Sequence, residues 1–195
     1  MPGTPGPAAY AAAMEPVTVE RLDANGARRH RDALAAVLVD CVEGGASVSF
    51  MAPFTHDDAR AFFDSVEPDI AAGVRVLLAA FLDNEVVGTV QVAAAWPPNQ
   101  PHRADVIKLL VRRSSRNRGI GRLLMERAEV EAREQGWTLL VLDTVTGDPA
   151  ERLYEHMGWN KVGVIPQLRV LPGRAALRHD RLLENPGLGQ AAGGA

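Results

Sequence analysis

The densest cluster of chemically useful residues in the chain reads VIKLLVRRSSRNRGIGRLLM. An Arg-rich loop follows an apolar run, and the motif Arg116-x-x-Gly119-x-Gly121 then opens a segment with helical periodicity. The first turn of a helix leaves several N–H groups without internal partners, and the helix dipole adds partial positive charge. Glycines let an anion approach the backbone, while Arg116, Arg118 and Arg122 add permanent charge. The stretch therefore predicts a phosphate-binding loop at a helix start.

Two better-known phosphate-binding motifs do not fit this loop. A dinucleotide-binding fingerprint requires a third glycine, but Leu124 occupies that position after Gly119 and Gly121. A P-loop requires Gly-Lys followed by Ser or Thr, and the sequence contains no such tripeptide. Spacing alone leaves open a plain glycine-containing turn with solvated arginines. The apolar run before the loop and the periodic segment after it favour anion binding.

Two carboxylates and one tyrosine lie where they could transfer protons near this loop. Asp143 interrupts the apolar run LLVLDT near the carboxyl end of a predicted central strand, where open α/β sheets usually bind ligands. We expect Asp143 to be buried, which costs free energy unless a partner or a function compensates. Asp105 begins the strand that leads into the loop. Tyr154, on a predicted short helix, is the only tyrosine in the predicted folded body.

A structural role stays open for each of these three residues. Asp105 could form an ion pair with Arg103 at a solvated strand end. Asp143 could cap the turn formed by residues 144–147. Tyr154 could be an amphipathic residue of the core.

The segment GGASVSFM lies between the first two predicted helices. Its small residues predict a shaped loop over an acceptor site, with Ser47 and Phe50 as contacts. An ordinary connection between two helices fits the same residues as well.

Hydrophobic periodicity predicts an α/β chain with a mixed sheet and helices on both faces. The predicted strands are Val17–Leu22, Arg75–Leu82, Val86–Trp96, Asp105–Val111, Thr138–Thr144, Trp159–Ile165 and, at a sheet edge, Leu177–Leu183. The predicted helices are Arg29–Val42, a segment from Thr55 to Gly73 that Pro68 should kink or split, Gly119–Gln135 and Pro149–Met157.

Length and composition bound the function. A chain of 195 residues predicts one domain, placed at 14–184, between Pro-, Gly- and Ala-rich disordered tails at 1–13 and 185–195. A net charge of −3 argues against a generally basic nucleic-acid binder. The single cysteine, Cys41, excludes an internal disulfide, and no Cys/His cluster has zinc spacing. Apolar runs are too short for a membrane span, and no signal peptide is evident, so a cytoplasmic protein without metal is expected.

The loop motif and the order of elements resemble the GCN5-related N-acetyltransferase (GNAT) family. The resemblance implies the acyl-CoA N-acyltransferase fold, with acetyl-CoA bound where two central parallel strands splay apart. It implies that Leu109, Leu110 and Val111 pair with the pantetheine arm through their backbone. It also implies that the pyrophosphate is held by N–H groups of the loop residues, namely Arg116, Asn117, Arg118, Gly119, Gly121 and Arg122.

Four blocks, GGASVSFM, RADVIKLLV, LDTVTG and AERLY, are similar to the tabtoxin-resistance acetyltransferases, over roughly residues 34–172. This resemblance implies that Asp105 and Asp143 bind or deprotonate an acceptor amine, although relatives carry Glu at the first position. The wider family implies that Tyr154 protonates the departing thiolate. Gln167 and Leu168 follow Pro166 where relatives carry an aromatic residue, so the same toxin is not implied as the substrate.

These observations predict an acetyl-CoA-dependent N-acetyltransferase acting by direct transfer in a ternary complex. The expected acceptor is a small-molecule primary amine, for example an amino-acid-like toxin or antibiotic, and a homodimer is compatible with the sequence. One alternative is a non-catalytic acyl-CoA-binding sensor. Another treats the arginines of residues 112–122 as a nucleic-acid patch, which the acidic net charge and the absence of a reading helix disfavour.

Overall fold

The computed structural model describes residues 16–170 and 177–185. Its strands are β1 (Thr18–Leu22), β2 (Arg75–Leu82), β3 (Glu85–Ala94), β4 (Arg103–Val111), β5 (Leu139–Val145), β6 (Asn160–Val170) and β7 (Leu177–Asn185). Its helices are α1 (Ala24–Arg29), α2 (Arg31–Glu43), α3 (His56–Ala71), α4 (Ile120–Glu134) and α5 (Pro149–His156). The strands form one mixed sheet in the order β1-β2-β3-β4-β5-β7-β6.

The middle of the sheet contains a parallel pair that soon separates. β4 and β5 pair in parallel only where Arg103–Asp105 faces Leu139–Val141. On its other edge β5 pairs with β7 from Leu140 to Val145. The other neighbouring strands of the described sheet run antiparallel. The carboxyl ends of β4 and β5 are therefore not joined by ladder hydrogen bonds, which opens a gap at the centre of the sheet.

Both faces of the sheet carry a buried core, because helices cover both sides. Along β2, Val76, Leu78 and Ala80 contribute to the core beneath α4 and α5. Leu77 and Ala79, in the alternate positions, contribute to the core beneath α1, α2 and α3. A strand buried on both faces reads as a continuous apolar run rather than an alternating one. The predicted α/β mixed sheet with helices on both faces is confirmed.

Of the two outcomes predicted for Pro68, a kink or a split of its helix, the split does not occur. α3 runs unbroken from His56 to Ala71. Pro68 lies in the last turn, where its ring removes one backbone hydrogen bond and leaves the remaining helix intact. Buried Phe63, Val66 and Ile70 continue one apolar face past the proline, so packing holds the segment helical.

The final strand is also placed differently from the prediction. β7 lies between β5 and β6, with Asp143 and Gly163 both paired to Leu182, so β6 rather than β7 forms this edge of the sheet. The sequence predicted an edge strand here, although the charged residues Arg178, His179 and Asp180 weakened that prediction. Strand order depends on long-range pairing that local composition does not encode.

Asn185 ends this strand, and its Nδ2 donates to Glu129 Oε1 over 2.9 Å. The tail predicted at 1–13 lies outside the described residues, as does all of the tail predicted at 185–195 except Asn185, which belongs to β7 and not to a tail.

Candidate active site

A bulge in β4 marks the place where the two central strands separate. Thr89 of β3 pairs with Leu110, but Gln91 pairs with Ile107, so β4 contains one extra residue. Lys108, within the bulge, has a φ of 55°, which is unusual for a residue with a side chain. A bulge bends its strand and increases the local twist. This one therefore turns the end of β4 away from β5.

The first of two adjoining spaces, the α4 groove, has a volume of about 480 Å³. It runs between the end of β4, the loop at 112–119 and the start of α5. Four glycines, at positions 44, 45, 119 and 121, are among its lining residues. The predicted ligand-binding residues that line it are Leu109, Leu110, Val111, Arg116, Asn117, Gly119 and Gly121.

The helix entrance at the α4 groove suits an anion. Gly119 caps α4 with a φ of 76°, and no side chain caps the first turn. The N–H groups of that turn therefore lack a side-chain acceptor, and the helix dipole makes them favourable for negative charge. A Cβ at Gly121 would lie 3.3 Å from Leu153 Cδ2 and would narrow the groove. These features fit a pyrophosphate held by backbone N–H groups.

The three loop arginines have different surroundings in the structure, and their predicted part in anion binding stays a prediction. Arg116 Nε donates to the carbonyl oxygen of Val111 over 3.1 Å, so its guanidinium ties the loop to β4. Arg122 Nε pairs with Glu126 Oε1 at 2.7 Å on the exposed face of α4. Arg118 is exposed. Arg118 and Arg122 do not line the groove. Any effect of these two residues on an anion in the groove would therefore be a long-range electrostatic one.

Cys41 also lines the groove, from the side of α2. Its Sγ donates to the carbonyl oxygen of Val111 over 3.4 Å, and Arg116 Nη2 lies 3.9 Å from the same sulfur. Burial raises the pKa of the Cys41 thiol, although Arg116 opposes this effect. A buried thiol of raised pKa is a poor nucleophile at neutral pH, in line with a core role.

Sequence reasoning missed one residue that supports this groove. Asp40 accepts hydrogen bonds from the backbone N–H of Arg113, over 2.7 Å, and from its Nε, over 2.9 Å. Partial burial acts to raise the pKa of Asp40, but the bonds from Arg113 and the charges of Arg113 and Arg116 outweigh it and lower that pKa. A carboxylate near a helix C-terminus opposes the dipole, and this was the signal that Asp40 needs a cationic partner.

The second space, the β5 cavity, encloses about 160 Å³ between β4 and β5. Its charged lining residues are Lys108, Asp143 and Asp148. Ser47 and Ser49 line it from the loop that follows α2, and Tyr154 lines it from α5. It shares Ala46, Leu109, Asp148 and Ala150 with the α4 groove, so the two spaces adjoin.

Asp143 is exposed, not buried as expected. Leu140 and Leu142 alternate with it along β5 and belong to the core under α4 and α5. Asp143 therefore points to the opposite face, toward the side of α1–α3, where the separation of β4 and β5 leaves an opening. The apolar run predicted burial because its leucines lie on the helix-covered face of β5. The gap between β4 and β5, which exposes Asp143, leaves no mark in that run.

Asp105 lies on the same face as Asp143 but outside the β5 cavity. It pairs with Val141, two residues before Asp143. Arg103 Nη1 lies 2.5 Å from its Oδ1, which is the ion pair that sequence reasoning left open. The structure thus places Asp143 and Tyr154 around one cavity, with Asp105 beside it.

Tyr154 is buried on α5 and packs against Trp159, with ring centroids 5.9 Å apart. α5 begins where Asp148 Oδ1 accepts from the N–H of Ala150 over 2.9 Å, with Pro149 in the first turn. Burial raises the pKa of the Tyr154 phenol well above its usual value, and the Asp148 carboxylate adds to this. Tyr154 is therefore a protonated hydrogen-bond donor across the neutral pH range.

The loop at 44–51 lines the β5 cavity with only one of its two predicted contacts. Ser47 lies in the wall. Phe50 does not line the cavity and packs against Phe54 and Phe62, at centroid distances of 4.5 and 5.2 Å. The aromatic cluster anchors the loop on α3.

The described residues contain neither a cluster suited to a metal ion nor a helix suited to a membrane. Within residues 16–170 and 177–185, no three His, Cys, Asp or Glu side chains are grouped to hold a metal ion. In the same part of the chain, no helix combines the length and apolar character needed to cross a membrane.

Comparison with known proteins gives consistent matches. The model of the acetyltransferase (GNAT) family matches residues 44–159. An N-acetyltransferase from Staphylococcus aureus is 17% identical with a TM-score of 0.73, over 88% of this chain and 98% of that one. YncA from Salmonella typhimurium, solved with its cofactor acetyl-CoA, is 17% identical with a TM-score of 0.74, over 93% and 99%. A ribosomal-protein-alanine N-acetyltransferase from Brucella melitensis is 20% identical with a TM-score of 0.72, over 86% and 98%. At these identities the structural likeness concerns the fold.

Proposed function

The protein belongs to the acetyltransferase (GNAT) family, and from that premise we propose that it is an acetyl-CoA-dependent N-acetyltransferase acting on a small-molecule primary amine. The observation that carries the proposal is the meeting of the two spaces. The start of α4, whose first turn has no side-chain cap, opens into the α4 groove, and the groove adjoins a cavity lined by carboxylates and a protonated phenol. A closer relationship to the tabtoxin-resistance enzymes stays a prediction.

The α4 groove would hold the cofactor. The N–H groups around Gly119 and Gly121 would bind the pyrophosphate, with charge from Arg118 and Arg122 nearby. The strand end Leu109–Val111 has no partner strand on the β5 side, so its backbone can hydrogen-bond to the pantetheine arm. The thioester would then lie near the residues that both spaces share.

The bound acetyl-CoA supplies an activated acetyl group. The balanced reaction converts an ammonium and acetyl-CoA into an N-acetyl amide, CoA thiol and one proton. The carbon–sulfur bond breaks as the carbon–nitrogen bond forms. The protein therefore has to take a proton from the amine, stabilise charge on the thioester oxygen and assist the departing sulfur.

Asp143 is the proposed base and ammonium-binding group. It lies in the wall of the β5 cavity, so an acceptor there would meet its carboxylate directly. Asp105, on the same face, would add negative charge that attracts the ammonium, and its place outside the cavity wall gives it the lesser role. A backbone N–H of Leu110 or Val111 would stabilise the thioester oxygen.

Tyr154 is the proposed donor to the sulfur. The raised phenol pKa keeps the proton on Tyr154, so its main contribution is a hydrogen bond that stabilises the developing thiolate. The thiolate can take up a proton as product leaves. Ser47, also in the cavity wall, would hydrogen-bond to the acceptor.

The test is a pair of measurements on the full chain. CoA and acetyl-CoA binding is measured by titration calorimetry, and thiol release is followed with acetyl-CoA and a panel of amino acids, aminoglycosides and polyamines. Turnover with a small amine, with the N-acetyl product seen by mass spectrometry, supports the proposal. Binding without thiol release for any amine would indicate a non-catalytic acyl-CoA sensor instead, and an absence of CoA binding would overturn both.

A further inference from the structure

Asp148 is a carboxylate to which the function proposed above assigns no role. It lies between β5 and α5, and it lines both the α4 groove and the β5 cavity. Of the four described residues that line both spaces, Asp148 alone carries a charge. Asp143, the proposed base, lines the cavity only. A cofactor in the groove and an acceptor in the cavity would therefore meet beside the Asp148 carboxylate.

The fold fixes the position of this carboxylate and uses only one of its oxygens. Asp148 Oδ1 accepts a hydrogen bond from the N–H of Ala150 over 2.9 Å, which caps the first turn of α5. Asp148 is exposed, and within residues 16–170 and 177–185 its carboxylate has no other hydrogen-bond partner and no ion pair. An ionised carboxylate accepts several hydrogen bonds, so Oδ2 is available to accept one from a ligand.

A second group in the cavity wall points to a ligand at the same place. Tyr154 is buried, yet its hydroxyl has no hydrogen-bond partner among the residues that the structure describes. A buried hydroxyl without a partner costs free energy, and a ligand in the cavity would complete it. Burial raises the pKa of the Tyr154 phenol, and the negative charge of Asp148 adds to this effect, so the two side chains lie within electrostatic range of each other.

The β5 cavity connects the two faces of the sheet through the gap between β4 and β5. Asp143 lines it on the side of α1–α3, whereas Tyr154 lines it from the core beneath α4 and α5. With a volume of about 160 Å³, the cavity holds only the reacting end of an acceptor, so a nitrogen there lies close to both Asp143 and Asp148. Lys108, the lysine among the lining residues of the cavity, lies outside the shared wall. The charge nearest the meeting point of the two ligands is therefore negative.

We propose that Asp148 is an acceptor-binding residue, which holds the reacting nitrogen as an ammonium beside the thioester. This inference rests on the proposed function and deepens it, because the acceptor has to enter the complex as a cation. Asp143 takes one proton from the ammonium, the nitrogen lone pair attacks the thioester carbon, and Asp148 accepts a hydrogen bond from a remaining N–H group. Asp148 takes up no proton, so the balance of the reaction is unchanged. Since the N-acetyl product carries no charge at this nitrogen, Asp148 favours the acceptor over the product.

The experiment compares ligand binding to the unaltered protein, Asp148→Asn and Asp23→Asn. Asparagine caps helices as well as aspartate does, so Asp148→Asn keeps the start of α5 and removes the charge. Asp23→Asn is the matched control, because Asp23 Oδ1 caps α1 through the N–H of Gly26 and Asp23 lines neither space. The ligands are CoA, the amine of the panel above that reacts fastest, and the N-acetyl product of that amine. Calorimetry on the protein loaded with CoA gives the Kd of amine and product without turnover.

In Asp148→Asn the Kd of the amine should rise about tenfold or more, the usual effect of losing a hydrogen bond between charged groups. The Kd of the N-acetyl product should stay within about twofold, and that of CoA should fall slightly because an anionic ligand loses a negative neighbour. Asp23→Asn should leave all three values unchanged. An equal rise for amine and product, or an unchanged Kd for the amine, would overturn the assignment, while acetylation by the unaltered protein keeps the N-acetyltransferase proposal. If no amine of the panel is acetylated, both proposals fall together.

Discussion

The α4 groove and the β5 cavity, the two halves of the candidate site, are lined by different kinds of residue. The α4 groove is lined mainly by residues within 109–121, which include Gly119 and Gly121, with further residues from around the end of α2 and the start of α5. The β5 cavity presents charged and polar side chains from β4, β5, α5 and the loop after α2. Binding through the backbone depends on local conformation, whereas binding through side chains depends on how distant segments meet. The groove should therefore determine affinity for the shared donor, and the cavity should determine which acceptor reacts.

Asp143→Asn is expected to show the largest difference between the effect on the acceptor reaction and the effect on CoA binding. Loss of a base or an ammonium-binding carboxylate should lower kcat/KM for the acceptor by about 10²–10⁴-fold. The Kd for CoA should not change, because Asp143 does not line the α4 groove. Asp105→Asn is the matched control, and its ion pair with Arg103 outside the cavity predicts a much smaller loss. Steady-state kinetics and calorimetry measure both, and equal losses in the two variants would remove the distinction between these carboxylates.

Tyr154→Phe is expected to have the next largest effect. Loss of a hydrogen bond to a developing thiolate should lower kcat roughly tenfold to a hundredfold. The folded pKa of Tyr154 lies above the usual value of 10.0, so its proton is retained throughout the assay range. The pH–rate profile between about pH 6 and 9 should keep its shape and lose only height. Disappearance of an alkaline limb in the variant would instead show that Tyr154 titrates during catalysis.

The same phenol predicts how stability responds to alkali. The unfolded chain ionises Tyr154 near pH 10.0, while burial keeps the folded group neutral. Above that pH the folded state binds more protons than the unfolded state, so the free energy of unfolding falls as pH rises. Denaturant melts of the unaltered protein and Tyr154→Phe should show a steeper alkaline decline for the former.

Gly119→Val is expected to have a smaller effect of the opposite kind, in which CoA binding weakens and the choice of acceptor does not change. A β-branched residue at a φ of 76° costs about 1–2 kcal/mol and would disturb the first turn of α4. CoA affinity should therefore fall about tenfold, with little change in the choice of acceptor. Gly136→Val is the control, because Gly136 has a φ of 80° at the other end of α4 and similar open space. If both variants weaken CoA binding alike, general destabilisation accounts for the effect.

The smallest effect is expected from Asp40→Asn, which weakens the link between α2 and the loop at Arg113. CoA affinity should fall by about two- to fivefold, since the pair is partly exposed. The lowered pKa of Asp40 means that its stabilisation is present above the usual value of 3.8 and is lost as pH falls through the lower folded value. Unfolding free energies of the two proteins should therefore converge in strong acid. A constant difference down to pH 2 would exclude the Asp40 charge as the cause.

The sequence predicted those parts of the molecule that short-range patterns determine. The strand that contains Val111, the glycines at 119 and 121 and the helix after them lie together in one segment, so their spacing predicted both structure and ligand. The short helix with Tyr154 was predicted for the same reason, because Pro149 and Gly158 mark its ends.

Other features depend on segments that are far apart in sequence. The place of β7 between β5 and β6, the bulge at Lys108 and the contact of Asp40 with Arg113 each arise from pairing across many residues. Asp143 shows the limit most clearly. Its neighbours predicted a buried position, but exposure depends on whether β4 lies alongside, and β4 turns away there.

The residues that line both spaces also limit how the acceptor specificity of such an enzyme could change. Ala46, Leu109, Asp148 and Ala150 line both the α4 groove and the β5 cavity. A substitution in this wall alters two ligand sites at once, so it is rarely neutral for either. Natural or laboratory evolution toward a new acceptor would therefore proceed through the outer residues, such as Lys108 and Ser47, while the partition stays constant.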